Sequence, residues 1–224
     1  MPNTLWPLFA DNPRLCRKLA EIAARVIVSY ARVRKGVEVG VTPVLHTFNG
    51  QLHFKPHVHS LVTGGGLNSA DLSWQPRLFF RKQDLMRSWQ CLVIALLRAA
   101  LQAGVLSSVM NNEELERLFQ REQKRSWIGH VQAFDKRDKF LRYVGRYVRR
   151  PPMAAKRIIR IADGFVWFWH KDKREHRWMR VKYTIEEFID CWSRHIPRRY
   201  QHAVRHFGLF APRRWASETR CKSL

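Results

Sequence analysis

Acidic residues are scarce in this chain. Its 224 residues hold 18 Asp and Glu against 41 Lys and Arg, for a formal net charge of +23 and a pI near 11.0. That balance excludes an ordinary near-neutral metabolic enzyme. It points to a polyanionic partner, held through phosphate neutralisation and counterion release. Cysteines are also few: Cys16, Cys91, Cys191 and Cys221 lie far apart with no CxxC pair. Neither a zinc ribbon nor a disulfide framework fits that spacing, and a reducing compartment does. Cys16 and Cys91 fall in apolar helical stretches and are expected to be buried. Long apolar runs are missing, since "CLVIALLRAALQAGVL" is broken by Arg98 and is too short to span a bilayer. The start, "MPNTLWPLFADNP", has neither the basic n-region nor the apolar h-region of a signal peptide. A cytoplasmic protein with no membrane partner is expected. HExxH and HxxE patterns, internal repeats and low-complexity linkers are all absent.

What is present supports one domain with a basic appendage. Hydrophobic residues make up 46% of the chain, enough for a globular core. Residues 1–120 carry 14 basic and 8 acidic residues, whereas residues 121–224 carry 27 and 10. Residues 12–36 read as a helix with Asn12 as cap, Pro13 in the first turn and Gly36 as its end. "VEVGVTPVLHTF" reads as a strand, "NGQ" as an Asn-Gly hairpin turn, and "LHFKPHVHSLVT" as the partner strand, ended by Gly64 to Gly66. Helices are expected over "KQDLMRSWQCLVIALLRAALQAGVL", "NEELERLFQREQ" and "DKRDKFLRYVGRYVRR". "WIGHVQAF" reads as a strand between the last two. Residues 156–184 read as a hairpin or meander with an Asp-Gly turn. "TIEEFIDCWSRHI" reads as a helix capped by Thr184 and Glu187. "PRRYQHAVRHFGLFAPRR" is a candidate last edge strand. The pattern is mixed α+β with antiparallel pairing.

The stretch "HFKPHVHSLVTGGG" places His57 and His59 two apart on a strand, so both imidazoles share one face. Such a pair suits a divalent metal with open positions. A third ligand must come from elsewhere. His46, across the hairpin, is the better candidate. His53 shares the parity but lies more than about 10 Å along an extended strand. Imidazoles alone leave zinc hydrolysis, iron oxygenation and magnesium- or manganese-assisted phosphoryl chemistry open. A weakly charged site in a strongly basic protein favours a substrate that brings its own negative charge, a phosphodiester.

"KFLRYVGRYVRRPP" supplies a candidate nucleophile. Tyr143 and Tyr147 are four apart, on one face of the expected helix. Arg142, Arg146, Arg149 and Arg150 interleave with them, and Lys136 and Lys139 precede them. A tyrosine is a poor nucleophile at its usual pKa of about 10, and a metal with several guanidiniums would favour the phenolate. Further on, Trp167 and Trp169 alternate with Phe168 on an expected strand, which turns one ring-bearing face outward.

The histidine–hydrophobic–histidine triplet and the two downstream tyrosines resemble the HUH nuclease superfamily. More closely, the chain resembles the two-tyrosine rolling-circle transposases of the insertion sequence ninety-one family. The resembling stretches are "LWPLF", "VLHTFNGQLHFKPHVHSLVTGGG", "WIGHVQAF", "YVGRYVRRPP", "RIADGFVWFW" and "HIPRRYQHAVRHFGLFAPRR", in the family's order. The resemblance implies an HUH-like central antiparallel sheet flanked by helices, over residues 1–150, with residues 151–224 as a basic extension. It implies Mg²⁺ or Mn²⁺ on His57, His59 and His46. It also implies that Tyr143 and Tyr147 attack single-stranded DNA to form 5′-phosphotyrosine links. The arginines and lysines named above would hold the DNA, in the bacterial nucleoid. Two departures from the family's usual pattern are expected: the lack of a cysteine-rich zinc segment before the nuclease region, and "MPNTLWPLF" as the end of a truncated first strand. The alternative is a remnant that binds DNA without cutting it.

Overall fold

The structure, a computed structural model, describes residues 1–147, 151–172, 175–196 and 204–211, without the side chains of residues 146 and 147. Arg149, Arg150, Cys221 and much of the last expected strand lie outside the described residues, as do the side chains of Arg146 and Tyr147. In chain order the elements are α1 (Trp6–Asp11), α2 (Pro13–Lys35), β1 (Val37–Glu38), β2 (Gly40–Phe48), β3 (Phe54–Val62), β4 (Gly66–Asn68) and β5 (Trp74–Gln75). Then follow α3 (Lys82–Gln102), α4 (Asn112–Lys124), α5 (Arg137–Tyr147), β6 (Ile158–Ala162), β7 (Phe165–Lys171), β8 (Trp178–Thr184), α6 (Ile185–Ser193) and β9 (Phe207–Gly208). The fold is α+β, and every sheet pairing among the described residues is antiparallel.

Helix α2 forms because its apolar positions recur on one face: Cys16, Leu19, Ala23, Val26 and Ala31 are buried. Pro13 starts it, Gly36 ends it in the left-handed region at φ 65°, and Arg32, Arg34 and Lys35 complement the dipole of its last turn. Asn12 occupies the N-cap position as expected, but its side chain does not bond the first turn. Its side-chain amide donates to the carbonyls of Leu8 and Ser107, and its oxygen accepts from the Ser107 N–H. The residue thus ties the helix start to a loop 95 residues away. The expected strand end in "MPNTLWPLF" is helical instead: a 3-10 turn over Asn3–Leu5 leads into α1, and Leu5, Leu8 and Phe9 enter the core.

The main core packs α2, α3 and α4 around Leu19, Trp89, Val93, Leu97, Leu115 and Phe119. Asn111 and Glu114 close a capping box at the start of α4. At its end, the buried Gln90 amide donates to the carbonyls of Glu122 and Arg125, groups a helix terminus leaves unpaired. Trp127 is buried too, with its indole N–H on the Glu122 carbonyl. That anchoring, rather than sheet pairing, organises "WIGHVQAF", which forms no strand. Cys91 is exposed, because it sits one position off the buried face of α3. Removing the fully buried ring in Phe119→Ala is expected to cost about 3–5 kcal/mol of stability, read as a lower urea midpoint.

The stretch expected as one strand, residues 37–48, divides at Val39. β1 pairs with β4, while β2 pairs with β3 and β9. The β2–β3 turn is longer than an Asn-Gly pair. The Asn49 side-chain oxygen accepts from the N–H groups of Gln51 and His53, and Leu52 takes a φ of 67°, so β3 begins only at Phe54. β9 lies at the sheet's edge, where Gly208 has φ +62° and a Cβ would meet the Val39 carbonyl oxygen at 2.0 Å. The expected meander forms as β6–β7–β8, with Asp163-Gly164 as its first turn. Its buried side, Val166 and Phe168, packs with Phe188 and Trp192 of α6, which is capped by Thr184 and Glu187 as expected.

Candidate active site

Alternation gives the β2–β3 hairpin two faces. Leu45 opposes Val58 on the face that packs against the helical core. The other face sets His46 opposite His57, and Val44 opposite His59. The three imidazoles therefore converge. Ring centroids are 5.5 Å apart for His46–His57, 4.9 Å for His46–His59 and 5.0 Å for His57–His59. One ring nitrogen of each lies within 4.8 Å of those of the other two. Among the described residues this is the only group of three or more His, Cys, Asp or Glu side chains arranged so. His46 is buried, while His57 and His59 are half-buried, so the cluster is open on one side. His53 is not part of it. That residue pairs through Nε2 with the Tyr183 hydroxyl at 2.9 Å.

Hydrogen bonding orients the rings. His57 Nδ1 lies 2.7 Å from the Lys55 carbonyl oxygen, which can only accept. A neutral His57 thus carries its proton on Nδ1 and its lone pair on Nε2, the tautomer typical of metal-bound histidines. His59 Nδ1 lies 3.1 Å from the Tyr143 hydroxyl oxygen. Tyr143 belongs to α5, 84 residues away, and its ring also packs on Phe134 at 5.0 Å between centroids. Phe134 was missed as a site neighbour because it closes the stretch read as a strand, residues 127–134. Position 147 is one turn beyond Tyr143 on α5. Lys136, Lys139 and Arg142 are exposed, and Lys139 pairs with Asp135 at 3.5 Å.

The C-terminal segment braces this hairpin. Buried His195 donates from Nε2 to the Leu52 carbonyl at 2.7 Å and accepts from the Thr47 hydroxyl at 3.0 Å. Arg157 donates to the Gly50 carbonyl, Tyr183 donates to that of Gln51, and Arg205 pairs with Glu21 of α2. Burial lowers the pKa of His195, and the nearby Arg194 lowers it further. Burial and Arg157 lower that of His170. The folded state therefore binds fewer protons than the unfolded state below the ordinary histidine pKa of about 6.5. Stability is expected to be full above about pH 7 and to fall as the pH drops through about 6.5 toward the lowered folded values. A lower urea midpoint at pH 5.5 than at pH 7.5, with a smaller difference in His195→Asn, checks this.

Fold and site together define a basic α+β protein with a helix-borne tyrosine set against a three-histidine cluster. The chain belongs to the family of insertion-sequence transposases whose model, described as "Putative transposase", matches residues 40–218, in accord with its resemblance to the insertion sequence ninety-one type. It is 30% identical over 220 residues to the "Transposase for insertion sequence element IS801" of Pseudomonas savastanoi pv. phaseolicola, a match covering 95% of this chain and 53% of that protein. It is 29% identical over 189 residues to the "Putative transposase y4qJ" of Sinorhizobium fredii, covering 80% of this chain and 48% of that one. The chain thus spans about half the length of the curated relatives it matches. No solved structure matches it significantly.

Proposed function

We propose that this chain carries the DNA-nicking and strand-transfer chemistry of a rolling-circle transposase with an HUH-like nuclease site. In this reading residues 1–150 form the catalytic unit and residues 151–224 a basic extension. Tyr143 and Tyr147 are the nucleophiles, acting on single-stranded DNA at element ends and target. The observation that carries the reading is the 3.1 Å contact between Tyr143 and His59 beside His46 and His57. The donor set fits a divalent ion: three clustered imidazoles, one with its tautomer fixed by a backbone carbonyl. His46, His57 and His59 would hold Mg²⁺ or Mn²⁺, whose charge would polarise the scissile phosphate.

The chain's own residues do the rest. With its proton on Nδ1, His59 donates to the Tyr143 oxygen and stabilises the phenolate. The cations at Lys136, Lys139, Arg142, Arg146, Arg149 and Arg150 neutralise the DNA backbone. The phenolate oxygen bonds to phosphorus while the 3′ oxygen of the preceding nucleotide leaves and takes up a proton. One phosphodiester is exchanged for a 5′-phosphotyrosine and a free 3′ hydroxyl. The bond energy is retained, so a later attack by a 3′ hydroxyl can rejoin strands without another energy source.

The test is a labelled single-stranded oligonucleotide incubated with the protein and Mn²⁺, then run on a denaturing gel. A metal-dependent protein–DNA adduct is expected, absent in the Tyr143→Phe/Tyr147→Phe double variant. An adduct that persists in the double variant would refute tyrosine chemistry. Salt-sensitive binding with no adduct in any form would leave a protein that only holds DNA.

A further inference from the structure

The β6–β7–β8 sheet has a second side that the site above does not use. Its buried side carries Val166 and Phe168 against α6. Alternation turns Phe165, Trp167, Trp169 and Lys171 of β7 the other way. The register places Arg160 and Lys182 on either side of Trp167, Arg180 opposite Trp169, and Trp178 opposite Lys171. Rings and cations therefore alternate across one face. The Arg160 guanidinium lies 4.1 Å from the Trp167 ring centroid, and the Lys182 ammonium 3.6 Å from that of Phe165. Trp169 and Trp178 are 43% and 57% exposed, a large apolar area to leave in water. None of these paired positions is acidic. Asp163, Asp172 and Glu175 belong to the two turns at the sheet's ends.

We propose that this face is a stacking platform for single-stranded DNA. Exposed indoles offer π-faces to unpaired bases, while Arg160, Arg180 and Lys182 offer charge to the phosphates between them. A duplex hides its base faces and would use only the charge. The inference rests on the proposed function for the choice of DNA as the polyanion, but not on the histidine–tyrosine chemistry. Position supports it as well. The sheet is tied to the β2–β3 turn by the Arg157–Gly50 and Tyr183–Gln51 hydrogen bonds. His57 is four residues from the end of that turn at His53, about 13 Å along an extended strand. A strand held on the platform is thus anchored to the hairpin that carries the histidines.

The test is fluorescence anisotropy with labelled oligo(dT) of twenty nucleotides, in EDTA so that no cleavage intervenes, beside a duplex of equal length. The Trp169→Ala/Trp178→Ala double variant is expected to lose at least about tenfold in oligo(dT) affinity, with duplex binding little changed. Trp169→Phe, which keeps an aromatic face, is expected to lose much less than Trp169→Ala. Oligo(dT) should also quench tryptophan emission in the wild type. Equal oligo(dT) affinity in wild type and double variant, equal losses for duplex and single strand, or a Phe variant no better than Ala would each overturn the platform. If the wild type forms no covalent adduct while the platform variants behave as stated, the nicking reaction fails and this surface stands.

Discussion

Tyr143→Phe is expected to slow the first nick in a single-stranded oligonucleotide by on the order of 10⁴-fold or more, whereas Tyr147→Phe slows that step less than about tenfold. The two tyrosines are alike in sequence, one helical turn apart in an arginine-rich stretch. Tyr143 is assigned the first step by what it touches, and the side chain of Tyr147 lies outside the described residues. Its hydroxyl meets His59 Nδ1, and its ring is braced by Phe134. A phenol is about three pH units from ionising at neutral pH, so in the proposed tautomer an imidazole N–H donated to its oxygen is a direct source of activation. Removing only the oxygen keeps the ring contact with Phe134 and leaves a half-buried His59 open to water. Folding should therefore change by no more than about 1 kcal/mol. The measurement is single-turnover cleavage of a 5′-labelled oligonucleotide with Mn²⁺, with a thermal melt of each variant beside it. Equal losses for the two single variants would sink the assignment of the first nick to Tyr143.

Much of this arrangement was legible in the sequence, for local reasons. The apolar repeat of α2, the Thr184–Glu187 cap and the Asp163-Gly164 turn each follow from rules spanning a few residues. So does the convergence of His46 with His57 and His59, because a hairpin obliges opposite residues to share a face. The failures have physical causes of another range. The expected strand at residues 127–134 was lost to a tryptophan whose N–H completes the end of a neighbouring helix. The Asn-Gly turn lengthened because the Asn49 side chain accepts two backbone bonds. The side chain of Asn12, at the N-cap position, was diverted from the first turn by a loop far along the chain. The contact between Tyr143 and His59 spans 84 residues, and no local periodicity encodes it. The sequence supplied the two kinds of group, and only the packing of α5 against the hairpin puts them in hydrogen-bond contact.

His57→Ala is expected to weaken Mn²⁺ binding by more than about 100-fold and to abolish the metal-dependent adduct. Loss of an outer-shell partner alone typically costs 10–100-fold in metal affinity, and His57 is itself a candidate ligand. It is also the histidine whose tautomer is best defined, since the Lys55 carbonyl accepts from Nδ1. An all-imidazole set with no carboxylate is softer than Mg²⁺ prefers, so the wild type is expected to bind Mn²⁺ more tightly than Mg²⁺. His53→Ala separates this from a general effect of losing a histidine on the same hairpin, because its partner is Tyr183 and it lies outside the cluster. Its Mn²⁺ affinity should match the wild type. Isothermal titration with Mn²⁺ and Mg²⁺ reads all three proteins without reference to cleavage. If His57→Ala binds Mn²⁺ as the wild type does, the three histidines are not the metal site, and an adduct that still needed metal would have to draw it from elsewhere. If binding falls but the adduct persists without metal, the cluster holds an ion that Tyr143 does not use. Only joint loss ties the ion, the imidazoles and the phenol into one centre.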